Sequence, residues 1–355
     1  MEVIYSKALE VLGKGKMCVL ATIIRLTGSG PRAAGTKFLI MENGSYAGTI
    51  GGGLLEAEVL KKAGEVFEAA RPGRMHLNLM GEDVAGTDMI CGGEAEVFFE
   101  PLFPADEDQV NLLKKCANLQ KRGGAGLLAT VVNAELWERG KSLKVFLDAK
   151  GERSGSLSGM RSIEEALLAD LKQWLENKNP LISRFEGNEG KQVELFVEAV
   201  LSDPLLYVFG GGHVSAQIVP LASMVGFKVA VIDDRPEFAD PARFPEAESV
   251  HCYPFQDVVA RLAVDESSYI IIVTRGHLND KTVLEQSLGT GAKYIGMIGS
   301  RRKKAMIYEK LLEQGFTQKD LDRVSSPIGL EIGAETPEEI AVSIVAELIK
   351  VRAGR

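Results

Sequence analysis

The feature that most constrains the fold is a run of three glycines between an apolar strand pattern and a helix pattern. Leu205–Phe209 is apolar and favours a buried strand, Gly210–Gly212 follow it, and a helical pattern begins at Val214. Roughly 20 residues later a second apolar run ends in Asp233-Asp234-Arg235. This order of strand, glycine turn, helix, strand and acid is typical of folds whose backbone N–H groups hold a pyrophosphate while the acid contacts a ribose.

The glycine run, called the glycine turn below, departs from the usual pattern at one position. Ser215 stands where a dinucleotide-binding fingerprint has its third glycine, and serine is still small enough for close helix–strand packing. A tight turn without any ligand is the structural alternative. The residues expected to bind a nucleotide-like group here are Gly210, Gly212, His213, Ser215, Asp233, Asp234 and Arg235.

Strand and helix patterns alternate from Leu205 onward, which predicts a Rossmann-like parallel sheet with helices on both faces. The last helix is marked by Thr336 as N-cap, Pro337 in the first turn and Glu339 in the capping-box position. The expected strands are 205–209, 228–232, 249–251, 269–273 and 294–297, and the expected helices are 214–225, 256–263, 280–288, 303–314 and 337–353.

Polar clusters follow two further expected strands, at the sheet edge where such folds bind ligands. One leads from Thr274 to Asp280, and the other, around Arg301 and Lys303, opens a helix. Cations at a helix N-terminus oppose the helix dipole, a conflict that a bound anion would remove; a solvated basic patch is the alternative. We predict ligand contacts from Arg275, His277, Asp280, Ser300, Arg301 and Lys303, with His277 as a candidate for proton transfer.

The first 200 residues contain an internal repeat. It predicts two units of hairpin, helix and strand that form one α+β domain about a pseudo-two-fold axis. The repeats are expected at about 1–105 and 106–200, within a domain of 1–200 that is followed by a nucleotide-binding domain of 201–355. The matching segments are 19–24 with 127–132, 37–40 with 145–148, 48–50 with 155–157, and 96–100 with 194–198.

Three loops occur only in the first repeat: the turn 27–32, the glycine run 51–53 and the insertion 81–93. Features that the fold needs should recur in both repeats, whereas features that chemistry needs can occur in one; loop drift is the alternative. Ser29 and Arg32 suit phosphate recognition, and glycines at a helix start favour an anion. The candidate site residues of this half are Ser29, Arg32, Gly51, Gly52, Gly53, Glu56 and Cys91.

Cysteine usage excludes several classes of site. The four cysteines include no C-x-x-C pair, which argues against a disulfide framework, a four-cysteine zinc site and iron–sulfur clusters, and which fits the cytoplasm. Cys91, followed by two glycines, is a candidate ligand for molybdenum or an acceptor of persulfide sulfur. A buried, inert thiol is its alternative, and we expect that role for Cys18, Cys116 and Cys252.

Charge and hydropathy exclude other partners. The net charge of −8 argues against a nucleic-acid binder. The sequence has no apolar run as long as a membrane span, and its first residues lack the apolar core of a signal peptide. They predict instead an amphipathic helix with Ile4, Ala8, Leu9 and Leu12 facing inward.

Taken together, these motifs resemble the XdhC/CoxI family. The N-terminal part of the resemblance lies in 28–32, 48–53, Glu56 and Cys91-Gly92-Gly93. The C-terminal part lies in 209–216, 233–238, 275–280, 299–303 and 327–341, whereas about 105–200 carries little of it. Arg275 stands where histidine is expected in many members, which weakens the idea of a fixed histidine pair.

The resemblance implies a maturation factor for molybdenum hydroxylases such as xanthine dehydrogenase. Such a protein binds the molybdenum cofactor, as molybdopterin or its cytosine dinucleotide form, while a cysteine desulfurase supplies sulfur, and then helps to insert it into the apoenzyme. A dinucleotide tail would give the glycine turn a pyrophosphate to hold without hydride chemistry. A homodimer is compatible with this role, although the sequence shows no interface.

Two alternatives belong to other classes of protein. The first is an NAD(P)-dependent oxidoreductase that uses His277 as acid and base. The second is a component of xanthine dehydrogenase itself, but the chain lacks iron–sulfur cysteine spacing and is too short for a molybdopterin-binding subunit. A non-catalytic maturation factor is therefore the favoured interpretation.

Overall fold

The computed structural model describes residues 4–30, 32–78, 93–122, 124–177, 179–187 and 190–354. The chain divides between Ser202 and Asp203 into two compact units, the N-terminal unit and the C-terminal unit. Each unit is built around its own sheets.

Two five-stranded antiparallel sheets form the N-terminal unit. The first contains β1 (Cys18–Gly28), β2 (Lys37–Met41), β3 (Tyr46–Gly48), β4 (Gly73–Asn78) and β5 (Gly93–Leu102). The second contains β6 (Ala125–Val131), β7 (Lys144–Asp148), β8 (Arg153–Ser156), β9 (Leu181–Glu186) and β10 (Gln192–Leu201). The orders β3-β2-β1-β5-β4 and β8-β7-β6-β10-β9 are the same arrangement twice, which confirms the predicted duplication. The edge strands β4 and β9 were not predicted.

The helices of this unit follow the repeat with two differences from expectation. They are α1 (Ile4–Gly13), α2 (Gly53–Ala69), α3 (Glu107–Arg122), α4 (Arg161–Ala169) and α5 (Leu171–Glu176). In α1 the buried residues are Tyr5, Ala8, Val11 and Leu12, whereas Ile4 and Leu9 are only partly buried. The second repeat has two helices, α4 and α5, separated at Asp170, where the repeat pattern predicts a single helix.

The hydrogen-bond register corrects the alignment of the two repeats by one residue. Thr22 of β1 pairs with Lys37, and Thr130 of β6 pairs with Lys144. Lys37 therefore corresponds to Lys144, and not to Val145 as the sequence match suggested. Both segments are apolar runs that tolerate a one-residue shift, so similarity could not determine which side chains share a face.

Two ion pairs, one buried and one partly buried, join the repeats reciprocally. Lys37 Nζ lies 2.5 Å from a carboxylate oxygen of Glu198, and Lys144 Nζ lies 2.6 Å from one of Glu100. Glu100 pairs with Leu20 in the first sheet, and Glu198 with the equivalent Leu128 in the second. Each pair thus takes its lysine from one repeat and its glutamate from the other, as a pseudo-two-fold axis requires.

A six-stranded parallel sheet forms the core of the C-terminal unit, in the order β13-β12-β11-β14-β15-β16. Its strands are β11 (Leu205–Phe209), β12 (Lys228–Asp233), β13 (Ser249–Cys252), β14 (Tyr269–Ile272), β15 (Tyr294–Met297) and β16 (Val324–Ser325). Its helices are α6 (His213–Met224), α7 (Gly276–Leu288), α8 (Arg301–Glu313), α9 (Gln318–Leu321) and α10 (Pro337–Arg352). This arrangement confirms the predicted Rossmann-like fold.

Two sequence-based boundaries in this unit were wrong. The helix expected at 256–263 is only a 3₁₀ turn at Val259–Arg261. Helix α7 begins at Gly276 rather than at Asp280, because Arg275 takes the extended N-cap conformation. The earlier start of α7 moves the polar residues 276–279, after β14, from an expected loop into a helix start.

The apolar pattern of the central strands explains their position. Tyr207 and Phe209 of β11 contact one apolar cluster, while Leu206 and Val208 contact another on the opposite face. Both faces are therefore covered, as in parallel sheets with helices on each side. The chain leaves β11 toward β12 on one side and reaches β14 on the other, so the switch point where such folds bind ligands lies beside β11.

Candidate functional site

The glycine turn lies at the carboxyl end of β11, and packing requires glycine at its first two positions. A Cβ atom on Gly210, which has φ +109°, would lie 2.5 Å from the Val273 carbonyl oxygen. A Cβ atom on Gly211 would collide with the carbonyl oxygen of Phe238. A Cβ atom on Gly212 would meet no atom within 4 Å, so this position faces open space.

These contacts predict opposite results for two neighbouring substitutions. Gly211→Ala is expected to lower the free energy of unfolding by about 1–3 kcal/mol, because the Phe238 backbone must move. Gly212→Ala is expected to change it by less than about 0.5 kcal/mol, because its φ of −76° suits alanine and the space is open. Urea unfolding of the two variants checks this, and equal losses would contradict the described turn.

The Asp233 carboxylate is hydrogen-bonded to the glycine turn. Its side chain is 1% exposed, and Oδ2 accepts a hydrogen bond of 2.7 Å from the Gly211 N–H. The Arg235 guanidinium donates to both carboxylate oxygens at 2.9 and 3.0 Å. Burial raises the pKa of Asp233, but the hydrogen bonds from Arg235 and Gly211 outweigh it and the pKa is lowered. Both carboxylate oxygens are thus engaged within the protein, and a direct contact of Asp233 with a ribose stays a prediction.

Two further predicted residues also support the turn. Ser215 is fully buried, and its hydroxyl donates a short hydrogen bond to the Gly210 carbonyl. The Arg235 guanidinium carbon lies 3.5 Å from the centroid of the Phe238 ring. Sequence reasoning missed Phe238, although an aromatic residue three positions after a candidate arginine could have signalled the stacking. Ligand contacts of Ser215 and Arg235 stay predictions.

Ion pairs connect the neighbouring loops at this edge of the sheet. Arg275, at the end of β14, donates to Asp234 Oδ2 at 3.0 Å. Asp280 is fully buried; its Oδ1 accepts hydrogen bonds from the Thr274 N–H and hydroxyl at 3.1 and 2.6 Å, and Lys303 pairs with its Oδ2. Burial raises the pKa of Asp280, and the Lys303 and Thr274 contacts offset this only in part. The structure therefore brings the residues predicted on β12, β14 and β15 to one edge.

The remaining predicted residues of the C-terminal unit divide into exposed side chains and a helix cap. His213, Arg275, His277 and Arg301 are exposed at the starts of α6, α7 and α8. Ser300 is the N-cap of α8, and its hydroxyl accepts from the Lys303 N–H at 3.2 Å. The guanidinium groups of Arg275 and Arg301 are therefore exposed cations at this edge of the sheet.

Two of the first-repeat loops, 27–32 and 51–53, follow strands that end at the same end of the first sheet, whereas the structure describes only Gly93 of the insertion 81–93. Strand β1 ends, β2 begins, β3 ends and β5 begins at this end, because the strands are antiparallel. Gly28 pairs directly with Gly93, and a Cβ atom on Gly93 would lie 2.5 Å from the carbonyl oxygens of Thr27 and Ser29. Ser29 and Arg32 are exposed, whereas Cys91 lies outside the described residues.

The glycine run at the start of α2 has a backbone that side chains disfavour. Gly51, Gly52 and Gly53 have φ values of +142°, +79° and +60°, and a Cβ atom on Gly52 would meet no atom within 4 Å. Three consecutive positive φ values explain why this run is glycine. The loop therefore presents backbone rather than side chains to its surroundings.

Glu56 closes this loop, and the second repeat has the same contact. Its Oε1 accepts from the Thr49 hydroxyl at 2.6 Å and from the Gly52 N–H at 3.1 Å. In the second repeat Glu164 Oε1 accepts from the Leu157 N–H at 2.8 Å. Because the arrangement recurs, Glu56 has a role in the fold of the loop, and its ligand contact stays a prediction.

The described cysteines differ in accessibility. Burial raises the pKa of both the Cys18 and the Cys116 thiol to about 12, so these thiols stay protonated at neutral pH. Cys252 is exposed at the end of β13, so the expectation that its thiol is buried was wrong. Cys18 and Cys116 therefore have the inert role expected for them.

Within the described ranges, no helix has both the length and the apolar character needed to cross a membrane.

A unit made of two copies of one antiparallel sheet, followed by a Rossmann unit with a glycine turn, defines a two-part α/β protein with glycine-rich loops in both parts. The model described as the XdhC Rossmann domain matches residues 206–348, and that of the XdhC and CoxI family matches residues 11–78. The chain belongs to the XdhC and CoxI family.

Three similar proteins differ in how much of their length is matched. A Bacillus subtilis (strain 168) protein described as a probable xanthine dehydrogenase subunit is 26% identical, with 94% of this chain and 93% of that protein covered. The molybdenum cofactor insertion chaperone PaoD of Escherichia coli (strain K12) is 22% identical, with 97% and 86% covered. The uncharacterized E. coli protein YqeB is 26% identical over 68% of this chain but only 46% of YqeB, so this chain spans less than half of YqeB.

A solved structure supports the fold. A crystal structure from Bacillus halodurans, described as a xanthine dehydrogenase, has a TM-score of 0.77 and 27% identity and covers 99% of this chain and 96% of that chain. This similarity confirms the fold class, which combines the antiparallel sheets with the parallel sheet.

Proposed function

We propose that the protein binds the molybdenum cofactor, protects it while a cysteine desulfurase supplies sulfur, and delivers it to a molybdenum hydroxylase apoenzyme of the xanthine dehydrogenase type. The observation that carries the proposal is that the turn at 27–32 and the glycine run 51–53 follow strands that end at the same end of the first sheet, where β5 begins at Gly93. Similarity over nearly the whole chain to a cofactor insertion chaperone and to a probable component of xanthine dehydrogenase supports the same role.

The residues of the N-terminal unit fit a phosphate-bearing pterin. Arg32 is exposed, and Gly52, whose N–H is bonded to Glu56, leaves open space beside its backbone at the start of α2. Gly93 packs closely against the backbone of Ser29, in the turn 27–32 that is proposed to bind phosphate. Gly93 is two positions after Cys91 in the sequence. Bound there, the cofactor would supply molybdenum and its sulfur ligand, and the chain would bind, orient and shield it. Cys91 is proposed as the contact to molybdenum or to transferred sulfur.

The oxidoreductase alternative is less well supported. Recognition of a nicotinamide dinucleotide commonly uses a free carboxylate at the end of the second strand to bind ribose hydroxyls. Asp233 occupies that position with both oxygens bonded to Arg235 and Gly211. We therefore favour a binding and delivery protein without hydride chemistry.

Cofactor content tests the proposal directly. The full chain, purified from a molybdenum-replete host, is expected to contain pterin and molybdenum at near-stoichiometric levels. Arg32→Ala is expected to retain the pterin about ten-fold more weakly, which is the size of one charge-assisted hydrogen bond. Pterin fluorescence after denaturation and metal analysis measure both.

Two further variants sharpen this test. Arg161→Ala removes an exposed second-repeat arginine and should leave pterin content unchanged. Cys91→Ser should reduce transfer of sulfur to the client while leaving much of the pterin bound. Wild-type protein without pterin, but thermally stabilised by NADH, would instead support the oxidoreductase.

A further inference from the structure

We infer that the C-terminal unit recognises its ligand through a phosphate or pyrophosphate group that displaces Asp234 from Arg275. This inference rests on the proposed function, because it concerns the ligand of the same protein. It identifies the chemical group that is recognised and the residue that sets the affinity.

The position of the Asp234–Arg275 pair is the first argument. Asp234 follows β12 and Arg275 follows β14, and β11 lies between these two strands. The 3.0 Å contact between their side chains therefore passes across the carboxyl end of β11, where the glycine turn begins. In folds of this class a pyrophosphate lies at that end. The Asp234 carboxylate is thus a negative group placed where a ligand anion is expected.

The quality of the pairing is the second argument. Asp234 Oδ1 is buried without a hydrogen-bond partner, and the nearest guanidinium nitrogen of Arg235 is 3.7 Å away. Asp233, next to it, has both oxygens bonded. Leaving a buried carboxylate oxygen unpaired is unfavourable, so Asp234 is the weakly held acid of this edge. Asp234 is therefore the acid whose unfavourable burial would be relieved if another anion replaced it at Arg275.

The availability of Arg275 is the third argument. Its side chain is 56% exposed, whereas that of Asp234 is 23% exposed. A phosphate offers the guanidinium a bidentate partner, and Arg301 at the start of α8 adds a second exposed cation. Gly212 leaves open space beside the turn. The exposed charges at this edge are thus suited to an anionic oxygen cluster, and the acid that would bind ribose is already occupied.

The experiment measures anion affinity in three variants. Full-length protein from a host that cannot make molybdopterin is titrated calorimetrically with inorganic pyrophosphate, cytidine 5′-diphosphate and cytidine. Asp234→Asn is expected to bind pyrophosphate and the diphosphate about ten-fold more tightly than wild type, because no carboxylate competes. Arg275→Gln is expected to bind both about ten-fold more weakly, and cytidine should not bind measurably.

A matched control separates displacement from a general charge effect. Glu237→Gln removes one exposed negative charge from the same loop, and Glu237 makes no ion pair with Arg275. Its affinity should stay within about two-fold of wild type. Tightening by Glu237→Gln equal to that by Asp234→Asn would overturn the inference.

The other outcomes are equally decisive. If Asp234→Asn binds as wild type or more weakly, Asp234 positions Arg275 instead of competing with a ligand, and the inference is wrong. It is also wrong if neither wild type nor Asp234→Asn binds pyrophosphate. Pterin content in a molybdenum-replete host is measured separately. The proposed function can therefore fail while the anion exchange is confirmed, and the anion exchange can fail while the proposed function is confirmed.

Discussion

Replacing Lys144 by methionine is expected to lower the free energy of unfolding by about 3–5 kcal/mol, because it leaves the Glu100 carboxylate buried without its partner. Both side chains of this pair are only 3% exposed, and the contact is 2.6 Å. Both tryptophans, Trp137 and Trp174, lie in the N-terminal unit, so tryptophan fluorescence during urea unfolding follows the relevant part of the chain.

The double variant Lys144→Met/Glu100→Gln should recover part of this loss, because it removes the unpaired charge as well. Glu165→Gln breaks the exposed Arg161–Glu165 pair and should cost less than about 0.5 kcal/mol. A loss as small as that control for Lys144→Met would show that the buried pair does not hold the two sheets together.

Asp233→Asn is expected to have a comparable effect in the C-terminal unit. At neutral pH the substitution weakens two charge-assisted hydrogen bonds from Arg235 and one bond from the Gly211 N–H, and we expect a loss of about 3 kcal/mol or more. Hydrogen exchange of the peptides that cover β11 and the glycine turn should report the opening directly.

The pH dependence of this loss has a defined sign. The pKa of Asp233 is lowered in the folded protein, whereas an unfolded aspartate titrates at about 3.9. Its stabilising contribution is therefore complete above that pH and is lost as the pH falls through the lower, folded pKa. The stability difference between wild type and Asp233→Asn should shrink below about pH 4. A difference that stays constant from pH 7 to pH 3 would contradict the role assigned to the carboxylate.

The sequence predicted the C-terminal unit well because its signals are local. The apolar run before Gly210, the acid run at 233–234 and the capping box at Thr336 each depend on a few neighbouring residues, and all three lie where expected. The helix expected at 256–263 failed because its apolar spacing is satisfied by a short 3₁₀ turn that packs into the core.

What the sequence could not predict depends on contacts between distant segments. Lys37 and Glu198 are 161 positions apart, and nothing near either residue signals the pair. The hydrogen bond from the Gly211 N–H to Asp233 is a similar case. From sequence, an acid at the end of the second strand predicts a ligand contact, and only the structure shows that the glycine turn already occupies this carboxylate. The loops of the first repeat were found because the second repeat served as an internal comparison.

The reciprocal Lys–Glu pairs indicate how such a chain could have arisen. In a symmetric dimer of one ancestral half, a single lysine and a single glutamate would have made the same contact twice across the axis. Fusion of two genes would preserve both contacts while freeing the halves from identity. One half could then acquire glycine-rich loops for a ligand, while the other half kept plain loops and served as a scaffold. A chain built from two copies of the plain half should therefore still fold but bind no ligand.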